Sequence, residues 1–288
     1  MTGLVAKMVP FSADDMEGPK YLRLLVMGFN KVGKSCAVIS TAPKPVYVIN
    51  SDQPDALEPV LRFDRTFKHN YIDSSQKMSD AIEVARQLVK EEKVSTVVWD
   101  TLSGFSPNLE LEAFASTLTG EGKEDGRRAW PVYRKFLRGF IGRLFKLKCH
   151  VVVVSHYLDV GGGGEDDKDG NKKVAKTGPG IVPMLGGASR AEVGGMFQDV
   201  VFMEKRLTGP GVEKRFFVTG IDGVFGPGCR SMPGNMDLPA DVSEFLKRAI
   251  EGRLPSHGAT KTATNGVSTK PPTAARSTVA AKPMVKVV

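Results

Sequence analysis

Residues 28–35 read Gly-Phe-Asn-Lys-Val-Gly-Lys-Ser. This octapeptide, a glycine, four spacers and then Gly-Lys-Ser, restricts the fold more than any other stretch of the chain. The spacing puts a lysine and a hydroxyl directly behind a tight turn, an arrangement in which successive backbone N–H groups can surround phosphate oxygens. Glycine is needed where the backbone turns sharply or must approach a ligand closely. Such a turn joins a buried strand to a helix, whose positive end adds to the field on the anion. Leu22–Met27 supplies an apolar strand running straight into the turn, and a short helix can follow from Gly33.

The rest of the body keeps the same alternation. Strand patterns fall at Leu22–Met27, Val46–Asn50, Thr96–Asp100, His150–Ser155, Asp199–Met203 and Arg215–Thr219. Helical patterns fall at Met78–Glu92, Phe105–Leu118, Pro131–Leu147 and Val242–Ile250. Short β-rich runs separated by helices predict an α/β fold, a mainly parallel central sheet flanked by helices. Three segments are expected: an arm over 1–20, one domain over 21–252, and a tail over 253–288. The tail is rich in Thr, Ala, Pro and Lys with few large apolar side chains, so it is read as disordered.

Charge must be divided between these segments before it is interpreted. The net charge is +8, and six Lys/Arg with no acid lie from Arg253 onward, leaving +2 for residues 1–252. The basic character therefore describes the tail, not the folded surface. The three cysteines, Cys36, Cys149 and Cys229, are odd in number and widely spaced. That argues against a disulfide framework or a zinc site and for a reducing cytoplasm. No apolar run approaches the roughly 20 residues that cross a bilayer, and no secretory signal is visible at the N-terminus.

Three further groups fall where a phosphate site needs them. Lys34 is expected to reach the β- and γ-phosphates and Ser35 to ligate a metal ion, Mg²⁺. Gly28, Phe29, Asn30, Lys31, Val32, Gly33 and Cys36 complete the nucleotide-contacting run. The apolar run Val94–Trp99 ends in Asp100, a carboxylate suited to hold the same ion. Val46–Asn50 ends in Ser51-Asp52, at the strand edge where doubly wound sheets place ligands. Asp52 is thus the candidate base for an attacking water, with Asp55 and Glu58 as near competitors. Val151–Val154 ends in Ser155-His156, and His156 is a candidate sensor of the γ-phosphate.

Together, the Gly28–Ser35 loop, Asp52, Asp100 and His156 resemble RecA-type ATPases over roughly residues 20–230. The chain is most similar to phage-encoded RecA-like ATPases grouped with Sak-type single-strand annealing proteins. Arg128-Ala129-Trp130-Pro131, Tyr133 and the run Val151-Val-Val-Val-Ser-His156 carry that likeness. The resemblance implies a RecA-like P-loop core that hydrolyses ATP while holding single-stranded DNA in phage recombination, beside a single-strand-binding protein. It implies a homo-oligomer, ring or filament, with ATP at subunit interfaces and a cation borrowed from the neighbour. Lys205, Arg206, Arg215 and Arg230 are candidates for that cation, and Arg230 best matches the group's late basic motif. The chain departs from bacterial RecA in having Asp52 where RecA has Glu, and in lacking an evident polymerising helix and C-terminal domain. A helicase or loader motor, or a binding module gated by ATP with negligible hydrolysis, would use the same residues.

Two stretches are candidate DNA surfaces. Residues 157–190 show little regular pattern, as functional loops of this length often do, and carry five acids against five bases. From Arg127 to Lys148 there are eight Lys/Arg and no acid. On a helix, Arg127, Arg128, Arg134, Lys135, Arg138 and Lys146 share one side, opposite Trp130, Tyr133, Phe136, Leu137, Phe140, Ile141, Leu144 and Leu147. Gly139 and Gly142 lie on the cationic side.

Overall fold

The computed structural model describes residues 21–119, 122–160, 180–220, 227–232 and 236–251. The arm expected at 1–20 and the tail expected at 253–288 lie outside the described residues. In chain order the elements begin with β1 (Arg23–Gly28), α1 (Lys34–Thr41), β2 (Val46–Asn50), α2 (Glu58–Leu61) and β3 (Lys68–Tyr71). There follow α3 (Ser75–Lys90), β4 (Thr96–Asp100), α4 (Leu102–Ala115), α5 (Gly126–Phe145), β5 (His150–Val160) and β6 (Gly180–Pro183). The last are α6 (Ser189–Gly194), β7 (Asp199–Gly209), β8 (Val212–Val218), β9 (Gly228–Cys229), β10 (Asp237–Pro239) and α7 (Val242–Glu251).

The sheet runs β10-β8-β7-β1-β5-β4-β2-β3. From β7 to β3 every pair is parallel, and β8 and β10 add an antiparallel edge. Parallel strands buried on both faces need apolar residues on both, and the central strands comply. Leu24 and Val26 of β1 face a layer containing Val38 and Ile39 of α1, Val60 of α2 and Phe245 of α7. Leu25 and Met27 face the other layer, with Met78 and Ile82 of α3, Phe105 and Leu109 of α4, and Leu137 and Ile141 of α5. This is the α/β architecture that the alternation predicts. No helix among the described residues is long and apolar enough to cross a membrane.

The register brings the predicted site residues to one edge. β5 inserts between β1 and β4, pairing Gly28 with His156 and Asp100 with Val154. β2 lies on the far side of β4, pairing Asn50 with Asp100. The carboxyl ends of four neighbouring strands therefore carry the loop, His156, Asp100 and the Ser51-Asp52 corner.

Some boundaries differ from the sequence expectation for physical reasons. β5 does not stop at Ser155 but continues to Val160 and pairs with β6. The polar pair that interrupts the apolar run is accommodated because the Ser103 hydroxyl accepts from the His156 N–H at 2.9 Å. Residues 157–190 are thus structured at both ends, by the β5–β6 arm and by α6; 161–179 lie outside the described residues. α5 starts at Gly126, not Pro131, with the Asp125 carboxylate accepting from the Arg127 N–H at 3.0 Å. An interior proline costs a helix about 3 kcal/mol. Beside it, Trp130 packs edge-on against Phe114 and Tyr133. β3 is exposed along its whole length and lacks any apolar alternation, so its sequence gives no strand signal.

Two glycines give opposite expectations. A Cβ at Gly104 would lie 2.6 Å from the Ser51 carbonyl oxygen, where α4 presses on the end of β2. Gly104→Ala is expected to lower stability in chemical denaturation by about 1–3 kcal/mol. A Cβ at Gly139 would meet nothing within 4 Å, so Gly139→Ala should raise stability by about 1 kcal/mol. Equal effects of the two substitutions would contradict this packing.

Candidate active site

The loop's shape follows from its residues. Gly28 ends β1 so close to β7 that a Cβ would sit 2.5 Å from the Met203 carbonyl oxygen. Gly33 has φ of 91°, the left-handed region, and leads directly into α1 without any side-chain cap. The first N–H groups of α1 are thereby left for a ligand. Any side chain at Gly33 would also meet the Arg215 guanidinium, whose Nε lies 2.9 Å from a Cβ there.

Lys34 is buried, 5% exposed, and its ammonium is held by the loop itself. Nζ donates to the Gly28 carbonyl at 3.0 Å and the Phe29 carbonyl at 2.7 Å. It also lies 3.3 Å from Nδ1 of His156. Burial lowers its pKa to about 8, against the opposing pull of Asp100 and Asp52. Burial, then the Lys34 charge, holds the His156 pKa below its ordinary value. A neutral imidazole accepting from an ammonium satisfies both trends and places the ring proton on Nε2.

Asp100 is 2% exposed, and its Oδ1 is buried without a hydrogen-bond partner. Burial raises its pKa to about 6, with the Asp52 charge acting in the same direction. A hydrogen bond from Ser35 and the Lys34 charge oppose this. An orphaned carboxylate oxygen beside a serine hydroxyl at a phosphate-type loop is a donor set that fits a hard divalent cation, which takes oxygen ligands. Ser35 and Asp100 are the residues that would hold it.

The Asp52 corner is set by Asn50. The Asn50 Oδ1 accepts from the Asp52 N–H at 3.1 Å, while its Nδ2 donates to the Gln53 carbonyl at 2.9 Å. Asp52 remains exposed, and its charge reaches Lys34, Asp100 and His156. Beneath it, Trp99 Nε1 donates to the Ser51 hydroxyl at 2.8 Å, which in turn donates to the Thr101 carbonyl at 2.7 Å. Lys34, Ser35, Asp52, Asp100 and His156 thus lie together at one edge of the sheet. The peptide between Asp100 and Thr101 is cis.

The four candidate cations separate. Lys205 pairs with Glu213, and Arg206 with Glu204 and Asp237. Arg230 follows β9, which pairs with the start of β7, and its N–H donates to the Gln198 carbonyl. It therefore lies at the edge opposite the loop of its own chain. Arg215 on β8 instead reaches the loop from within the same chain, its Nε donating to the Val32 carbonyl at 2.8 Å. Sequence reasoning places Arg215 among cations for a neighbour's site. Only the β7–β8 pairing shows that it braces its own loop. Sequence reasoning also misses Ser103, whose available signal is Thr101-Leu-Ser-Gly104, a helix start beside Asp100.

Loss of the brace should be measurable. Arg215→Ala is expected to weaken nucleotide binding by about tenfold or more, the worth of a charged hydrogen bond, with Lys34→Ala weakening it further. Calorimetric titration of both variants checks this, and unchanged affinity for Arg215→Ala would contradict a brace.

Comparison with known proteins agrees with the geometry. A family model described as an AAA domain matches residues 20–220, which is 201 of the 288 residues. No curated protein matches the chain. The matched span opens just before β1 and closes just after β8, so it takes in the loop, Asp52, Asp100, His156 and Arg215. On that match the chain belongs to the AAA domain family and carries a nucleotide-binding domain of the P-loop ATPase type.

Proposed function

We propose that the protein is an Mg²⁺-dependent ATPase that couples hydrolysis to holding single-stranded DNA, as a phage-type recombinase or annealing factor. One observation carries the coupling. His156 contacts the phosphate-loop lysine through its side chain while its own strand continues as the β5–β6 arm. The Met184 N–H returns to the His156 carbonyl at 2.9 Å, tying the base of the arm to the same residue. A change at Lys34 therefore has a short mechanical route to the arm.

In this reading ATP draws the Lys34 ammonium off the Gly28 and Phe29 carbonyls and onto the β- and γ-phosphates. His156 then loses its donor and adjusts, and the arm follows. Asp52 orients a water toward the γ-phosphorus. The water oxygen bonds to the γ-phosphorus as its proton passes to the Asp52 carboxylate, the bond to the bridging oxygen breaks, and ADP, phosphate and the proton leave. Ser35 and Asp100 would hold a divalent cation, which would supply neutralising charge to the phosphates. Arg215 keeps the loop in its binding shape. Arg230, at the far edge, could serve only an adjoining subunit, and the reading includes a homo-oligomer acting beside a single-strand-binding protein.

Two measurements test this. ATP turnover should rise several-fold on adding oligo(dT) at low salt, and His156→Ala should remove that rise while leaving nucleotide affinity in place. Asp52→Asn should cost about 10² to 10⁴ in turnover, the usual worth of a positioned base. Turnover indifferent to oligo(dT) across a salt series would remove DNA from the reading.

A further inference from the structure

The cations expected in a row along α5 are redistributed in the folded chain. Arg134 and Arg138 both turn to Glu192 of α6, at 3.4 and 2.6 Å, and Arg128 pairs with Asp125. Arg143, Lys146 and Lys148, at the end of the same run, lie elsewhere. α3 and α5 each end just before a strand, β4 and β5, and those strands are neighbours in the sheet. Where the two helix ends part from the two strand starts there is an open cleft of about 1010 Å³, on the edge opposite the phosphate loop.

Five cationic side chains line this cleft, Arg86, Lys90, Arg143, Lys146 and Lys148, against one acid, Glu92. Two are engaged: Arg86 pairs with Glu83, and Arg143 donates to the Ser79 hydroxyl and carbonyl. Lys90, Lys146 and Lys148 are exposed and have no ion-pair partner among the described residues. Nor are they needed as caps for α5. The Arg23 guanidinium donates to the Phe145 and Leu147 carbonyls at 2.8 and 2.7 Å, satisfying that helix end. His150 Nδ1 accepts from the Leu22 N–H, which leaves its Nε2–H as a further donor on the cleft wall.

We infer that this cleft is a second polyanion site, which takes the phosphodiester backbone of a single-stranded nucleic acid. Three free ammonium groups supply unspecific phosphate contacts, and the cleft is at the upper limit of volumes that enclose one small ligand. The proposal rests on the DNA-dependent reading above and adds to it a place on the molecule. Because the cleft is separated from the loop by the length of β1, its contribution is independent of nucleotide.

The test uses the full chain and the triple variant K90Q/K146Q/K148Q, all at exposed positions, with fluorescent oligo(dT) as probe over a range of salt. The variant should bind oligo(dT) about tenfold or more weakly at low salt, with and without ATP. Its log–log salt slope should be shallower by about 2, or about 0.7 for each lost phosphate contact. Its ATP affinity and melting temperature should match the wild type. An unchanged slope and affinity in the variant would overturn the cleft while leaving a DNA-dependent ATPase standing. No binding of oligo(dT) by the wild type would overturn both. A peptide of residues 1–20, which carry three acids against two lysines and precede the cleft-lining Tyr21, is the competing occupant. If that peptide displaces the probe from the wild type as effectively as unlabelled oligo(dT), the nucleic-acid assignment is wrong.

Discussion

An ammonium group buried beside two carbonyls and an imidazole organises the whole carboxyl edge of this sheet. Lys34 has to lose most of its water to sit at the start of α1, and the loss is tolerable only because Gly28, Phe29 and His156 replace the missing hydrogen bonds. Each partner comes from a different constraint. Gly28 and Phe29 are where β1 ends against β7, and His156 stands opposite Gly28 because β5 is the neighbour of β1. Moving β5 elsewhere in the order would leave the lysine without its nitrogen acceptor.

The same group ties the site to its surroundings. Phe29, half-exposed, packs edge-on against Tyr157 at 4.8 Å and Phe202 at 5.5 Å. Tyr157 and Phe202 also touch each other at 5.2 Å. The loop, the base of the β5–β6 arm and β7 thus share one aromatic cluster directly beside the Lys34–His156 contact. The arm therefore touches the loop through packing as well as through the hydrogen bond. On the other side, burial pushes the Asp100 pKa up to about 6 and its Oδ1 has no hydrogen-bond partner, and a cation there would relieve both.

Local chemistry makes the site legible and tertiary pairing makes the rest obscure. The loop, Asp52, Asp100 and His156 can be read because each lies at the end of an apolar run, and strand ends in a parallel sheet share an edge. β2 and β4 start and stop where their apolar runs do. Arg215, by contrast, sits in a hairpin with an exposed face, and nothing local distinguishes it from Lys214 or Arg206. The cations of α5 are visible as a set, but Glu192 lies on another helix, so their neutralisation is not. β6 and α6 are short elements whose stability comes from contact with β5 and from Tyr133, whose hydroxyl meets Ser106 at 2.7 Å and is hydrogen-bonded to the Gly186 backbone. No window of sequence contains that contact.

The most direct test of the central contact is the side-chain nitrogen spectrum of the histidines. The chain has four, at 69, 150, 156 and 257, few enough to resolve singly by one-at-a-time substitution. Recorded with and without a non-hydrolysable ATP analogue and magnesium, the Nδ1 resonance of His156 should shift as the ammonium leaves it, while that of His150 at the opposite edge stays in place. A His156 resonance unmoved in a sample shown by calorimetry to be saturated with nucleotide would contradict the account.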